Sequence, residues 1–309
     1  MDVYRSLAEV PPTPGGRSVA LGTFDGVHRG HRRVIAAAAE GARERGMRPV
    51  VVTFDPHPLQ VLKPEEPPRL LTAAATKAAL VAGLGVDELI AIPFTAELSR
   101  QSAEDFCDGV LVRALDARRV SVGSNFRFGR GASGDAGSLQ ARPEFETVVV
   151  PLVEHGDAPV SSSRIRELVA DGDVVGAAEL LEAPYRLVGE VVRGDGRGRE
   201  LDMPTINLQP PPGLVVPGAG IYAARAHGDA LGADIPAAVS IGVRPTFEDD
   251  GDLRVEAHLI GFDGDLYGET VWLEFLKRLR DEVKFDSAQA LQRQMRADVD
   301  QTREIAARA

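Results

Sequence analysis

The chain has a single cysteine, Cys107, among its 309 residues, which excludes an internal disulfide framework. It has no apolar stretch near the roughly 20 residues needed to span a bilayer. Its N-terminus lacks the basic-then-apolar run of a signal peptide. Basic residues are in deficit, 35 Lys and Arg against 46 Asp and Glu for a net charge of -11, which argues against a nucleic-acid backbone as the main partner. Repeats, low-complexity tracts and coiled-coil heptads are missing too. The expectation left standing is a soluble cytoplasmic protein whose partners are small molecules, with no nucleic acid and no membrane. Association with further copies of itself stays open. At 44% hydrophobic and 26% charged residues, the chain is long enough for two domains.

What is present divides in two. Up to about Pro184, short apolar runs alternate with helical patterns. Strands are expected at Ser18 to Gly22, Pro49 to Phe54, Glu88 to Ile92, Arg119 to Val122 and Thr147 to Pro151. Helices are expected at Arg32 to Arg45, Thr76 to Gly83 and Ala103 to Leu115. That alternation implies an α/β, doubly wound parallel sheet. Two short helices follow between Ser162 and Leu181, and Glu182-Ala183-Pro184 marks a boundary between domains 1–183 and 184–309. Beyond it, Tyr185 to Arg193, Gly220 to Ala226, Ala237 to Gly242, Leu253 to Ile260 and Thr270 to Phe275 read as short strands. They suggest a small antiparallel β-barrel closed by a C-terminal helix from about Ser287 to Ala307.

The densest chemistry lies in Gly22-Thr23-Phe24-Asp25-Gly26-Val27-His28-Arg29-Gly30-His31, at the first strand-to-helix turn. Its glycines let the backbone approach phosphate oxygens, and a helix N-terminus offers free N–H groups and partial positive charge. One helical turn separates His28 from His31, so both imidazoles can face one anion. A metal site also fits a bare His-x-x-His, but no further His or Cys lies close in sequence. Thr53-Phe54-Asp55-Pro56-His57-Pro58 ends the second strand at the same sheet edge. Asn125, Phe126 and Phe128 follow the fourth strand, where the two rings suit either a flat ligand or the core. Ser161-Ser162-Ser163-Arg164-Ile165-Arg166 places hydroxyls at a helix start, with Arg166 one turn on.

In the second half, Gly194, Gly196 and Arg199 belong to a Gly-rich basic loop able to fold over phosphates. Thr205 and Asn207 alternate in a presumed strand and share a face, a hydroxyl beside an amide that suits Mg²⁺ carrying nucleotide phosphates. Glu256, in Val255-Glu256-Ala257-His258, is the carboxylate suited to act as general base for a hydroxyl attacking a γ-phosphate.

Taken in order, the first-half segments resemble the nucleotidyltransferase half of the prokaryotic bifunctional riboflavin kinase/FAD synthetases. The match rests on Gly22, Phe24 to His28, Gly30 and His31, and on Ser161 to Arg166. The second half resembles the riboflavin kinase domain, with Ser240-Ile241-Gly242, Pro245-Thr246-Phe247 and Lys284-Phe285 in support. The resemblance implies phosphorylation of riboflavin to FMN, then adenylylation of FMN to FAD with release of pyrophosphate, using ATP and Mg²⁺. It implies that Gly22, Phe24, Asp25, Gly26, His28, Gly30, His31, Ser162, Ser163 and Arg166 bind the ATP that adenylates. Asp55, Asn125, Phe126 and Phe128 would hold the flavin. Gly194, Gly196, Arg199, Thr205 and Asn207 would bind the kinase nucleotide, Thr205 and Asn207 would hold the metal, and Glu256, His28 and His31 would be catalytic. Thr23 and Ser163 depart from the family pattern in the first half, and Asp202, Met203, Ile206 and Arg244 in the second. The second set, with Ile206 adding bulk between Thr205 and Asn207, leads us to expect slower kinase turnover or an altered flavin preference. Two other readings remain: an adenylyltransferase with a weakened or re-targeted kinase half, and a flavin- or nucleotide-binding regulator.

Overall fold

Val50, Val51 and Val52 are all fully buried, as a central parallel strand covered on both faces requires. In the computed structural model, which describes residues 1–194, 203–243 and 253–309, the chain divides into two compact units. The first comprises Met1–Pro68 with Ala74–Ser162, and the second Arg69–Ala73 with Ser163–Ala309.

The first unit runs β1 (Asp2–Tyr4), β2 (Arg17–Leu21), α1 (Arg29–Arg45), β3 (Arg48–Asp55), α2 (Pro58–Leu62), α3 (Ala74–Ala82), β4 (Glu88–Pro93), α4 (Ala103–Phe106) and β5 (Ala117–Gly123). It continues through a ribbon of β6 (Arg127–Phe128) and β7 (Gly134–Asp135), α5 (Ala136–Gln140), β8 (Glu146–Val150) and a second ribbon of β9 (Glu154–His155) and β10 (Ala158–Pro159). Six strands form a parallel sheet in the order β1-β4-β3-β2-β5-β8. Alternate residues feed two cores: Val19, Leu21, Val50, Val52 and Ile90 on one face, Ala20, Val51 and Leu89 on the other. The edge strand β1 is too short and exposed to announce itself in the sequence. The single amphipathic α-helix expected over Ala103 to Leu115 is instead α4 followed by wider, π-type turns over Cys107–Ala114. Those turns bring Phe106, Cys107, Val110 and Leu111 together into the core.

Charge is buried at the amino edge of this sheet, away from the functional loops. Arg17 Nε meets Glu88 Oε2 at 2.8 Å, with the two side chains 1% and 0% exposed. The remaining Arg17 donors reach Leu115 O and Pro11 O, and Arg48 Nε lies 3.0 Å from Glu88 Oε1. Removing one member of such a pair strands its partner. Glu88→Ala is therefore expected to destabilise the first unit by about 3–5 kcal/mol, read as a lower denaturant midpoint; a loss under about 1 kcal/mol would show that water replaces the carboxylate.

The second unit opens with α6 (Ser162–Ala170), which begins at the unit boundary, and α7 (Val174–Leu181), which packs on the barrel strands β11 (Tyr185–Val192) and β16 (Thr270–Arg280). Between those strands come β12 (Ile206–Gln209), β13 (Gly220–His227), β14 (Ile235–Val243) and β15 (Leu253–Leu259). They close a barrel in the order β11-β12-β15-β14-β13-β16. Val255, Ala257 and Leu259 are buried in its interior while Arg254, Glu256 and His258 are not, the period-two pattern of a strand with one buried face. The C-terminal helix α8 (Ala288–Arg308) packs against β13, β14 and β16.

Candidate active sites

In the first sheet β2 and β5 are neighbours, with β3 and β4 beyond β2 and β8 beyond β5. Strand order reverses between them, the place where open α/β sheets leave a crevice beyond the strand ends. The loop after β2 is strained there. Phe24, Gly26 and Val27 have φ of 48°, 85° and 44°, a left-handed conformation that a β-branched residue rarely adopts. Burial sustains it: Phe24 and Val27 are 1% and 0% exposed. Phe24 thus supports the loop from beneath, with its ring edge-on to His31 at 5.3 Å.

His28 is the N-cap of α1, its Nδ1 accepting the His31 N–H at 3.4 Å, which puts the ring proton on Nε2. The His28 and His31 rings stack with centroids 3.5 Å apart and planes 18° off parallel. A side chain on Gly30 would come within 3.2 Å of the His28 ring, so the glycine makes room for the stack. His31 Nδ1 is buried without a hydrogen-bond partner. Burial, then His28, then Lys77 hold the His31 pKa well below the usual histidine value, so neutral His31 acts as an N–H donor rather than a charge.

That depression has a sign. Above about pH 6.5 His31 is neutral in folded and unfolded chains alike. Below it the unfolded chain takes the proton first, and stability falls until the lower folded pKa is reached. His31→Gln is expected to flatten that loss between pH 6.5 and 5, measured by urea unfolding at each pH; a slope identical to that of the unaltered chain would place the titrating group elsewhere.

Other expected residues of the first unit gather around this loop. Ser162 Oγ donates to Asp25 O at 2.9 Å, tying the serine motif to the histidine loop, and Asp25 is 1% exposed. Ser163 and Arg166 follow on α6, in the second unit. Thr53 Oγ1 and Lys77 Nζ both donate to Thr23 O at 2.9 Å. Lys77 is a residue that the sequence reading missed. Its signal was available: it is the only charged residue in α3. Asp55 is exposed at the end of β3, and His57 caps α2. Across the switch point Asn125 is exposed, with its Oδ1 folded over Gly123. Phe126 is half-buried and stacks on Phe128 at 5.7 Å. Phe128 is 8% exposed and packs into the core beside Phe106, so Phe126 is the ring with a face left to offer.

In the barrel, Asn207 and Glu256 are register partners across β12 and β15, and Glu256 is the register partner of Ser240 on β14. Thr205, two residues before Asn207, falls on the same face. Ile206 pairs with the buried Ala257 and faces the other way, so its bulk does not lie between Thr205 and Asn207, contrary to the expectation above. Gly194 is needed where it stands, because a Cβ there would fall 2.1 Å from the Asn207 amide. Gly196, Arg199, Asp202, Arg244 and Pro245 to Phe247 lie outside the described residues.

A cavity of about 640 Å³ opens beside this face, with Thr205, Ser240, Glu256 and His258 on one wall and Phe285, Leu291 and Met295 on another. Its volume suits a drug-sized ligand, apolar on one side and polar on the other. Met203 lines it too. Arg254 Nη1 donates to Glu256 Oε1 at 3.0 Å, a partner that the sequence reading did not foresee. Arg280 holds Asp298 of α8 at 2.7 Å, clamping the helix to the barrel beside the cavity.

Comparison with known proteins follows the same division. Residues 10–164 match the FAD synthetase family model and residues 181–306 the riboflavin kinase model. The bifunctional riboflavin kinase/FMN adenylyltransferase of Pseudomonas fluorescens is 37% identical, covering 99% of this chain and 98% of its own. The Escherichia coli K12 enzyme of that description is 33% identical, covering 96% of each chain. A solved structure described as a macrolide-efflux protein from Streptococcus pneumoniae superposes with a TM-score of 0.87 at 32% identity, over 97% of this chain and 98% of that one. Among the described residues, no helix of the present chain is long and apolar enough to cross a membrane.

Proposed function

The chain belongs to the bifunctional riboflavin kinase/FMN adenylyltransferase family, phosphorylating riboflavin to FMN and adenylating FMN to FAD with ATP, and we propose how its own residues divide the two reactions. The adenylyl transfer runs at the loop after β2. An oxygen of the FMN phosphate forms a bond to the α-phosphorus of ATP, the bond from that phosphorus to the bridging oxygen breaks, and the electron pair leaves on pyrophosphate. No covalent nucleophile takes part, so catalysis is alignment and charge stabilisation. The single observation that carries this reading is the stacked His28/His31 pair on a strained loop at the switch point. The ring N–H groups of His28 and His31 bind the triphosphate there, with Gly22, Gly26 and Gly30 shaping the backbone around it. Ser162 fixes the Asp25 peptide, Ser163 offers its hydroxyl to the nucleotide, and Arg166 takes the departing end. Asp55, Asn125 and Phe126 receive the flavin, with Phe128 backing Phe126.

For the kinase reaction, Glu256 takes the proton of the ribityl hydroxyl as its oxygen bonds to the γ-phosphorus of ATP; the bond from that phosphorus to the bridging oxygen breaks, the electron pair leaves on ADP, and the cavity beside Glu256 holds the isoalloxazine. Among the described residues no cluster of three His, Cys, Asp or Glu side chains could hold a metal by itself. Thr205 and Asn207 instead offer two oxygens on one face, which fits Mg²⁺, an ion commonly held by one or two protein ligands with the rest from phosphates and water. When bound there, the ion would neutralise phosphate charge. Gly194 binds the nucleotide beside Asn207, and Gly196 and Arg199 are read from the sequence as its further ligands. The working domains are 1–183 and 184–309, in a cytoplasmic protein that uses neither nucleic acid nor membrane.

The test is to incubate purified protein with Mg²⁺-ATP and either riboflavin or FMN, then resolve FMN, FAD and pyrophosphate by chromatography. Both conversions are expected. Binding without turnover would identify a regulator, and turnover of FMN alone a transferase with a silent kinase half.

A further inference from the structure

Lys77 has no role in the assignments above, and its setting is costly for a structural residue. It is a half-buried cation on a helix that is otherwise uncharged. Its described hydrogen bond, to Thr23 O at 2.9 Å, duplicates one that Thr53 Oγ1 already makes at the same length. An ammonium has three donors, so this bond leaves two to spend. Burial lowers its pKa, while Asp25, from the loop after β2, and Asp55, from the end of β3, act to raise it and favour the cation; Lys77 in turn acts on His31. Because Thr53 of β3 donates to the same Thr23 carbonyl, the ammonium stands where the histidine loop meets the end of β3, the strand end expected to receive the flavin.

Resting on the adenylyl-transfer reading above, we propose that the Lys77 ammonium binds the phosphate of the incoming FMN and brings it against the α-phosphorus of ATP. Two anions must approach each other for the new P–O bond to form, and neutral His31 supplies no positive charge. A fixed cation beside it does, and it needs no proton transfer because the attacking phosphate is already ionised. A hydroxyl could hold the Thr23 carbonyl; only a cation serves the second purpose.

The experiment compares Lys77→Met and Lys77→Arg in the full chain, with His31→Ala alongside. In Lys77→Met, kcat/KM for FMN in FAD formation is expected to fall by about 10²-fold or more, largely as a higher KM for FMN. The KM for ATP should stay within about twofold, and riboflavin phosphorylation should be unchanged. Lys77→Arg, which keeps the charge, should recover part of the FMN affinity. An unchanged KM for FMN with a lower melting temperature would overturn the proposal and leave Lys77 as a prop for Thr23. A raised KM for ATP alone would overturn it in favour of a triphosphate contact. If Lys77→Met does not fold, equilibrium FMN binding to Lys77→Arg and Lys77→Gln decides, since only loss of charge should weaken it. Full activity in His31→Ala would instead show that the adenylyl-transfer site itself is misread.

Discussion

Replacing His28 and His31 together with Ala is expected to lower FAD formation from FMN by about 10³-fold or more, with FMN formation from riboflavin untouched. A single donor aimed at developing charge in a preorganised site is worth about 10²–10³ in rate. The two rings are in contact, and one ring nitrogen accepts the other residue's backbone N–H, so they act as a unit. Each single substitution should then cost nearly as much as both. His28→Ala also removes the cap of α1, worth about 1 kcal/mol of stability. His28→Asn separates the effects: asparagine caps well, so the fold should be kept while adenylyl transfer is lost. Assays supplied with FMN and with riboflavin separately give the readout. Strictly additive losses from the two single variants would mean that the rings work apart, and a matching loss of FMN formation would mean that the reactions do not use separate residues.

The sequence carried the parts of these sites that obey a period or a spacing. Apolar and polar residues alternate through Val255 to Leu259, and the structure buries Val255, Ala257 and Leu259 but not Glu256; the glycine-flanked turn carried His28, which caps a helix that begins at Arg29 rather than at the expected Arg32. Contacts that depend on which strands become neighbours were not legible. The Asn207–Glu256–Ser240 row exists because the barrel closes in the order β12-β15-β14, and no local pattern states that order. Lys77 reaches Thr23 across 54 residues for the same reason. Ile206 is flanked by Thr205 and Asn207 in sequence but not in space, because a strand sends adjacent side chains to opposite faces. The two phenylalanines after β5 read alike, and only packing separates Phe128, in the core, from Phe126, at its margin.

Glu256→Gln is expected to reverse the histidine result, with FMN formation from riboflavin falling by about 10²–10⁴-fold and FAD formation from supplied FMN unchanged. That range is what a positioned general base contributes. The substitution is close to isosteric. Its carbonyl can still accept the hydrogen bond that Arg254 gives Glu256 at 3.0 Å, so side-chain placement and the neighbouring Asn207 face should persist while the proton acceptor is removed. Riboflavin binding is therefore expected to survive, which separates loss of chemistry from loss of the pocket. Arg254→Ala makes the complementary change, leaving the carboxylate in place but free to turn, and should cost less than Glu256→Gln. If Glu256→Gln instead weakened riboflavin binding and left the rate at saturating riboflavin unchanged, Glu256 would be a wall of the cavity, and the proton of the ribityl hydroxyl would have to leave by another route.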